Sequence, residues 1–205
     1  SVSKLVLGSD EIEAIINGTL GANKGRQGRW KRKTKKSFGI SDKDAIQWRR
    51  EKSKVQNVFA PENAEFTLVD GYNVIFAWED LNGVAKENID AARDALLDEL
   101  CRYKSLIGGE VIAVFDAYKV PGHTTEYLDF RNIHVVYTKE AETADSYIEA
   151  FAHEKGKSHR VTVVTSDGLE QIIIRGEGAM LVSSREFKEL LERLTKAFNE
   201  KFKIE

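Results

Sequence analysis

Phe66-Thr67-Leu68-Val69-Asp70-Gly71-Tyr72-Asn73 reads as a buried strand that ends in an aspartate and turns at a glycine toward a helix. The apolar run does not alternate with polar residues, which is the pattern of a strand covered on both faces, as in a parallel sheet. The same grammar recurs downstream. Val111-Ile112-Ala113-Val114-Phe115 is followed by Asp116-Ala117, and Val161-Thr162-Val163-Val164-Thr165 by Ser166-Asp167. Ile133 to Tyr137 and Ala179 to Val182 are two further apolar runs of strand length.

Helical stretches separate most of these strands. Ile89, Ala92, Leu96, Leu97, Leu100 and Tyr103 fall on one helical face, and Gly108-Gly109 ends that helix. Ala144 to Glu154 reads as a second helix and Leu169 to Ile174 as a short third. Phe187, Leu190, Leu191, Leu194 and Phe198 make the stripe of a closing helix. Strands and helices in this order predict an α/β fold, a parallel sheet in three layers. Tyr118 to Phe130, with Pro121-Gly122, is expected to be a mobile loop over the site.

Charge divides the chain in two. Its overall net charge is −2, but residues 1–60 carry +8 and residues 61–205 carry −10. Between Lys24 and Lys36, eight of thirteen residues are Lys or Arg and none is acidic. Such a segment buries no core and is expected to stay extended or disordered until it meets a polyanion. Trp30, Phe38 and Trp48 lie in and after it, and aromatics interleaved with cations can stack on bases. Gly8 to Leu20 predicts a short helix capped by Ser9, with Ile12, Ile15 and Ile16 on one face. The expected organisation is a basic tether over residues 1–64 and a folded domain over 65–205.

One cysteine, Cys101, leaves no intramolecular disulfide and fits a reducing compartment. No apolar run reaches the ~18 residues of a membrane span, and no signal peptide is visible, so a cytoplasmic location without membrane contact is expected. The chain does not start with Met, as expected of a piece of a longer protein.

Asp70, Asp116 and Asp167 each follow an apolar strand, and Asp145 opens a helix, the positions where an open α/β fold gathers its ligand site. Carboxylates converging there repel one another unless a cation sits among them. Oxygen donors without thiol or imidazole suit Mg²⁺ or Mn²⁺, which points to phosphotransfer or nuclease chemistry. Asn73 is placed to orient a water or a phosphate oxygen, and Thr165 and Ser166 to support the site or cap a helix. Because an acidic pocket repels nucleic acid, binding must draw on the metal and on cations outside the pocket, for which Lys31, Arg32, Lys33, Lys35, Lys36, Arg93, Lys119 and Lys139 are candidates. The four histidines show no metal-ligand spacing, and Asp90, Asp94 and Asp98 read as a solvated helix face.

Leu68-Val69-Asp70-Gly71-Tyr72-Asn73-Val74-Ile75, Phe115-Asp116-Ala117, Thr138-Lys139-Glu140-Ala141-Glu142-Thr143-Ala144-Asp145 and Thr165-Ser166-Asp167 together resemble the NYN domain of the YacP type, a PIN-like nuclease fold. The resemblance covers about residues 66–190. It implies a metal-dependent endoribonuclease whose acidic pocket is Asp70, Asn73, Asp116, Asp145 and Asp167, with metal on the four aspartates and Glu142 outside them, acting on messenger or ribosomal RNA at the ribosome. The alternative is a non-catalytic RNA- or ribosome-binding module. Leu7-Gly8-Ser9-Asp10-Glu11-Ile12-Glu13 and the basic stretch after it resemble the C-terminal extension of translation-factor GTPases related to elongation factor G and the ribosomal-protection tetracycline-resistance proteins. That implies a GTPase domain elsewhere in the parent chain, since Gly18-Thr19-Leu20-Gly21-Ala22-Asn23-Lys24-Gly25 lacks the spacing and hydroxyl of a phosphate loop. A haloacid-dehalogenase site is disfavoured by Tyr72 where a second aspartate belongs. A receiver domain is disfavoured by Ser183-Ser184-Arg185 where its lysine belongs.

Overall fold

The computed structural model describes residues 11–12, 14–16, 64–116, 125–139, 142–166 and 179–202. In chain order the elements are β1 (Phe66–Asp70), α1 (Gly71–Ala77), α2 (Glu79–Glu87), α3 (Ile89–Ile107), β2 (Glu110–Phe115), β3 (Glu126–Phe130), β4 (Ile133–Tyr137), α4 (Ala144–Lys155), β5 (Val161–Val164), β6 (Met180–Val182) and α5 (Ser184–Phe202). The strands form one sheet in the order β3-β4-β2-β1-β5-β6. Every pairing is parallel except β3 with β4.

The apolar strands divide their residues between two cores. Phe66, Leu68, Ile112, Val114, Val161 and Val163 pack with Tyr147, Ile148 and Phe151 of α4. Val69, Val111, Ala113, Phe115 and Val164 pack with residues of α1, α2, α3 and α5 on the other face. Both faces of the central strands are therefore dry, and a three-layer α/β/α sandwich follows. Fully buried aliphatic side chains such as Leu68 and Leu96 each contribute about 1.5–3 kcal/mol by burial.

Local chemistry sets the helix ends. Asn88 Oδ1 accepts from the backbone N–H groups of Asp90 and Ala91 to start α3, and Gly108, at φ 78°, follows its last residue. Ser183 and Glu186 form a reciprocal cap before α5: Glu186 Oε2 accepts from Ser183 N at 2.9 Å, and Ser183 Oγ accepts from Glu186 N at 3.2 Å.

Two expectations need correction. Glu126 to Phe130 is an antiparallel edge strand, part of the stretch expected to be a loop. Its hairpin with β4 turns through Arg131-Asn132, with Arg131 at φ 51°, so it lacks the glycine that usually marks such a turn. Its sequence, Glu126-Tyr127-Leu128-Asp129-Phe130, is broken by two acids and gives none of the apolar continuity seen in the central strands. The region between β1 and the long helix also holds two short helices, α1 and α2, where only a turn into a helix was expected. The strand and helix ends predicted elsewhere agree with the structure to within a few residues. The helix expected over Leu169 to Ile174 lies outside the described residues.

Residues 11, 12 and 14–16 are helical, and Ile12, Ile15 and Ile16 pack against the larger core. Lys201 Nζ donates to Glu11 Oε2 at 2.7 Å, tying this turn to the end of α5. No helix among the described residues is long and apolar enough to cross a membrane.

Candidate active site

β2, β1 and β5 are neighbours at the centre of the sheet, and their carboxyl ends lie side by side. From β1 the chain crosses to β2 on one side, and later strands return to β5 on the other. The crevice where direction reverses is where open α/β sheets bind ligands. Asp70, Asp116 and the Thr165-Ser166 segment stand at these three strand ends.

Asp70 is buried, with 6% of its surface exposed. It caps α1, its Oδ1 accepting from Asn73 N at 3.0 Å. Its pKa is pushed up to about 7, chiefly by burial and further by the charges of Asp145 and Asp116 and a hydrogen bond shared with Asp145. The Asn73 backbone bond acts in the opposite direction and loses.

Asp116 Oδ1 accepts from Ala144 N at 2.6 Å, so the end of β2 is held to the first turn of α4. Thr143 caps that helix, its Oγ1 accepting from Ser146 N at 3.2 Å. The cap directs Asp145, the next residue but one, to Asp70. Three carboxylates thus meet where a strand end, a second strand end and a helix N-terminus converge.

Asn73 reaches the third strand: its Oδ1 accepts from Ser166 N at 2.7 Å. Ser166 Oγ in turn accepts from Ser184 N at 3.3 Å, and the Ser184 carbonyl accepts from Trp78 Nε1 at 2.7 Å. Thr165 is fully buried. Thr165 and Ser166 thus stand in the hydrogen-bonded framework around these strand ends. Glu142 is buried just before the α4 cap, with its Oε2 accepting from Thr125 Oγ1 at 3.4 Å.

Asp167, Lys119, Lys31, Arg32, Lys33, Lys35 and Lys36 lie outside the described residues. Lys139 is partly exposed just beyond β4. Arg93 is largely enclosed. It pairs with Asp90, donates to the Tyr72 hydroxyl at 3.2 Å, and lies 6.0 Å from the Phe115 ring centre and 5.6 Å from that of Tyr137. Beside it Tyr72 packs edge-on against Phe115 and stacks with Phe76. Sequence reasoning passed over these aromatics. Their signal was the four-residue spacing of Tyr72 and Phe76 in the helix directly after Asp70.

The donor set is all oxygen, and mutual repulsion among its carboxylates is what a divalent cation relieves, so its chemistry fits Mg²⁺ or Mn²⁺. Among the described residues no group of three or more His, Cys, Asp or Glu side chains is already arranged to hold a metal ion.

A family model for the YacP-like NYN domain matches residues 67–205. The chain belongs to that family. It is similar to the uncharacterised protein YacP of Bacillus subtilis, with 39% identity over 131 residues that cover 63% of this chain and 76% of the relative. The crystal structure of Rae1 (YacP) from Bacillus subtilis superposes with a TM-score of 0.57 at 36% identity, covering 68% of this chain and 80% of that one. A tryptophan-to-leucine variant of the same protein gives a TM-score of 0.56 over 65% and 78% of the two chains. The mostly parallel six-stranded sheet is thus a PIN-like NYN fold, and NYN domains are generally nucleases.

Proposed function

We propose that this NYN domain is a Mg²⁺- or Mn²⁺-dependent endoribonuclease that hydrolyses RNA phosphodiesters at the ribosome. The observation that carries the reading is the convergence of Asp116 and Asp145 on a buried Asp70 whose proton is held far above the ordinary carboxylate range. Carboxylates perturbed by burial and by one another, gathered at the ligand crevice of an α/β sheet, are the arrangement an acidic metal pocket uses.

Asp70, Asp116 and Asp145, joined by Asp167, would hold the cation. Bound there, a divalent ion neutralises phosphate charge and lowers the pKa of an attacking water. Asn73 fixes the distance between the β1 and β5 ends through its bond to Ser166 N. The α4 N-terminus, pinned by Asp116, presents backbone N–H groups and a partial positive charge to an anionic substrate. The basic segment from Lys24 to Lys36 contacts RNA, and the domain is attached through the residues before it to a translation-factor GTPase.

Cleavage of messenger RNA on translating ribosomes, compared between this chain, Asp70→Asn and Asp116→Asn, tests the reading. Both substitutions keep an acceptor oxygen for the Asn73 or Ala144 amide while removing charge. Cuts that vanish in both variants and in chelator support the nuclease. Ribosome binding without any cut in the unaltered chain would leave a non-catalytic binding module.

A further inference from the structure

Four large apolar side chains are strongly exposed among the described residues: Phe76, Val84, Leu128 and Met180. Leu128 and Met180 lie on opposite edge strands of the sheet, so the four do not make one patch for a protein partner. Phe76 differs from the others in being aromatic, 56% exposed, and on the helix that begins at the residue after Asp70.

Its surroundings form a graded stack. Phe76 and Tyr72 lie nearly parallel, with ring centres 6.3 Å apart and planes inclined by 21°. Tyr72 meets Phe115 edge-on at 5.1 Å, and Phe115 stacks on Tyr137 at 5.7 Å. Arg93 braces the inner part, its guanidinium donating to the Tyr72 hydroxyl while facing the Phe115 and Tyr137 rings. The inner rings are thereby packed against one another, and Phe76 is the outer, exposed ring. It stands about 9 Å along the helix axis from Asp70, at 1.5 Å per residue.

We propose that Phe76, seated on Tyr72 and braced by Arg93, is a nucleobase-stacking subsite that holds a single-stranded RNA base beside the scissile phosphate. The inference rests on the nuclease reading and adds the way substrate is gripped. The carboxylates of the pocket repel RNA, so a contact indifferent to their sign adds affinity near the cut beyond what the cation and the α4 N-terminus supply. A base stacked on an aromatic face is such a contact, and it tolerates any sequence. It also demands an unpaired base, which directs the enzyme to single strands. Arg93 acts here as the positioning residue of Tyr72 more than as a phosphate ligand.

Fluorescence anisotropy of a labelled single-stranded RNA oligomer tests it, with Asp116→Asn as the non-cleaving parent in Mg²⁺. Adding Phe76→Ala weakens binding by about tenfold, within the range for loss of one stacked base. Phe76→Leu, which keeps apolar bulk without the ring, stays weak, and Phe76→Trp restores affinity. On an abasic oligomer parent and Phe76→Ala bind alike. Equal affinity of parent and Phe76→Ala for the intact RNA, or an equal loss on the abasic strand, overturns the subsite and leaves the nuclease reading standing. A parent chain that binds no RNA overturns both.

Discussion

A Cβ placed on Gly71 would stand 2.1 Å from Cε1 of Phe115, so the first residue of α1 packs directly on the ring that precedes Asp116. The strand ends that carry Asp70 and Asp116 are thus brought together by a missing side chain. Gly71→Ala forces the Phe115 ring to move within a packed core, at a cost of about 1–3 kcal/mol. The expected outcome is a melting temperature lower by on the order of 5–10 °C and a loss of cleavage larger than that instability explains. Adding Phe115→Leu to Gly71→Ala recovers part of the stability, because the two changes share one contact. Strictly additive losses in the double variant would argue against the packing account.

Asp70 gives a pH dependence with a definite sign. Its ordinary value is 3.8 and its folded value is about 7, so between those limits the folded state holds a proton that the unfolded state has released. The stability this provides is complete below about pH 4 and is lost as pH rises through 7. Without divalent metal, thermal melting is expected to fall from pH 5 to pH 8, and Asp70→Asn to flatten that slope and raise the melting temperature at pH 8. The difference at pH 8 is on the order of 2–4 kcal/mol for a shift of this size. Mn²⁺ competes with the same proton, so it stabilises the unaltered chain more at pH 8 than at pH 5 and has little effect on Asp70→Asn. Parallel slopes for the two proteins would place the proton on another group.

Much of this site is readable in sequence because strand-end aspartates obey a positional rule. β1 and β2 are continuous apolar runs, so their ends are sharp, and Asp70 and Asp116 follow from them. Asp145 is recoverable for a similar reason, since Thr143 signals the helix start. What escaped was whatever depends on packing between elements. The Asn73–Ser166 bond spans 93 residues, and no local pattern encodes it. The edge strand β3 is half exposed and turns through Arg131 in a left-handed conformation, so neither its hydrophobicity nor its turn residues announce it. The spacing of Tyr72 and Phe76 marks a pair on one helix face, but not that Phe76 is exposed, because an exposed aromatic and a buried one look alike in a helix of seven residues.

Ile15 offers a test of how the early residues relate to the NYN domain. Ile12, Ile15 and Ile16 pack on the core, and Glu11 pairs with Lys201. Ile15→Asp puts a charge against that apolar surface and is expected to cost about 1–3 kcal/mol, within the range for an imperfectly solvated polar group. Glu11→Gln weakens only an exposed ion pair, worth less than ~1 kcal/mol. Urea denaturation of both variants distinguishes them: a lower midpoint for Ile15→Asp with little change for Glu11→Gln. Equal midpoints for Ile15→Asp and the unaltered chain would show that the helical turn does not stabilise the domain.

Asn73 separates the framework role from charge. Its Oδ1 is the acceptor for Ser166 N, and Ser166 Oγ accepts from Ser184 N, so one amide links the end of β1 to the segments after β5 and β6. Asn73→Ala removes that acceptor. Because the bond is near solvent, water can replace it, and the stability cost is only about 0.5–1.5 kcal/mol. Cleavage should fall far more than stability, by about a hundredfold, since small displacements in a catalytic constellation are costly. Asn73→Asp keeps the acceptor oxygen but adds a further carboxylate beside Asp70, Asp116 and Asp145. The added charge raises the Asp70 pKa further, so the metal-free variant melts lower at pH 8 than at pH 5 by a wider margin than the unaltered chain. Mn²⁺ narrows that margin. Cleavage by Asn73→Ala at the unaltered rate, with its melting temperature intact, would remove Asn73 from the working site.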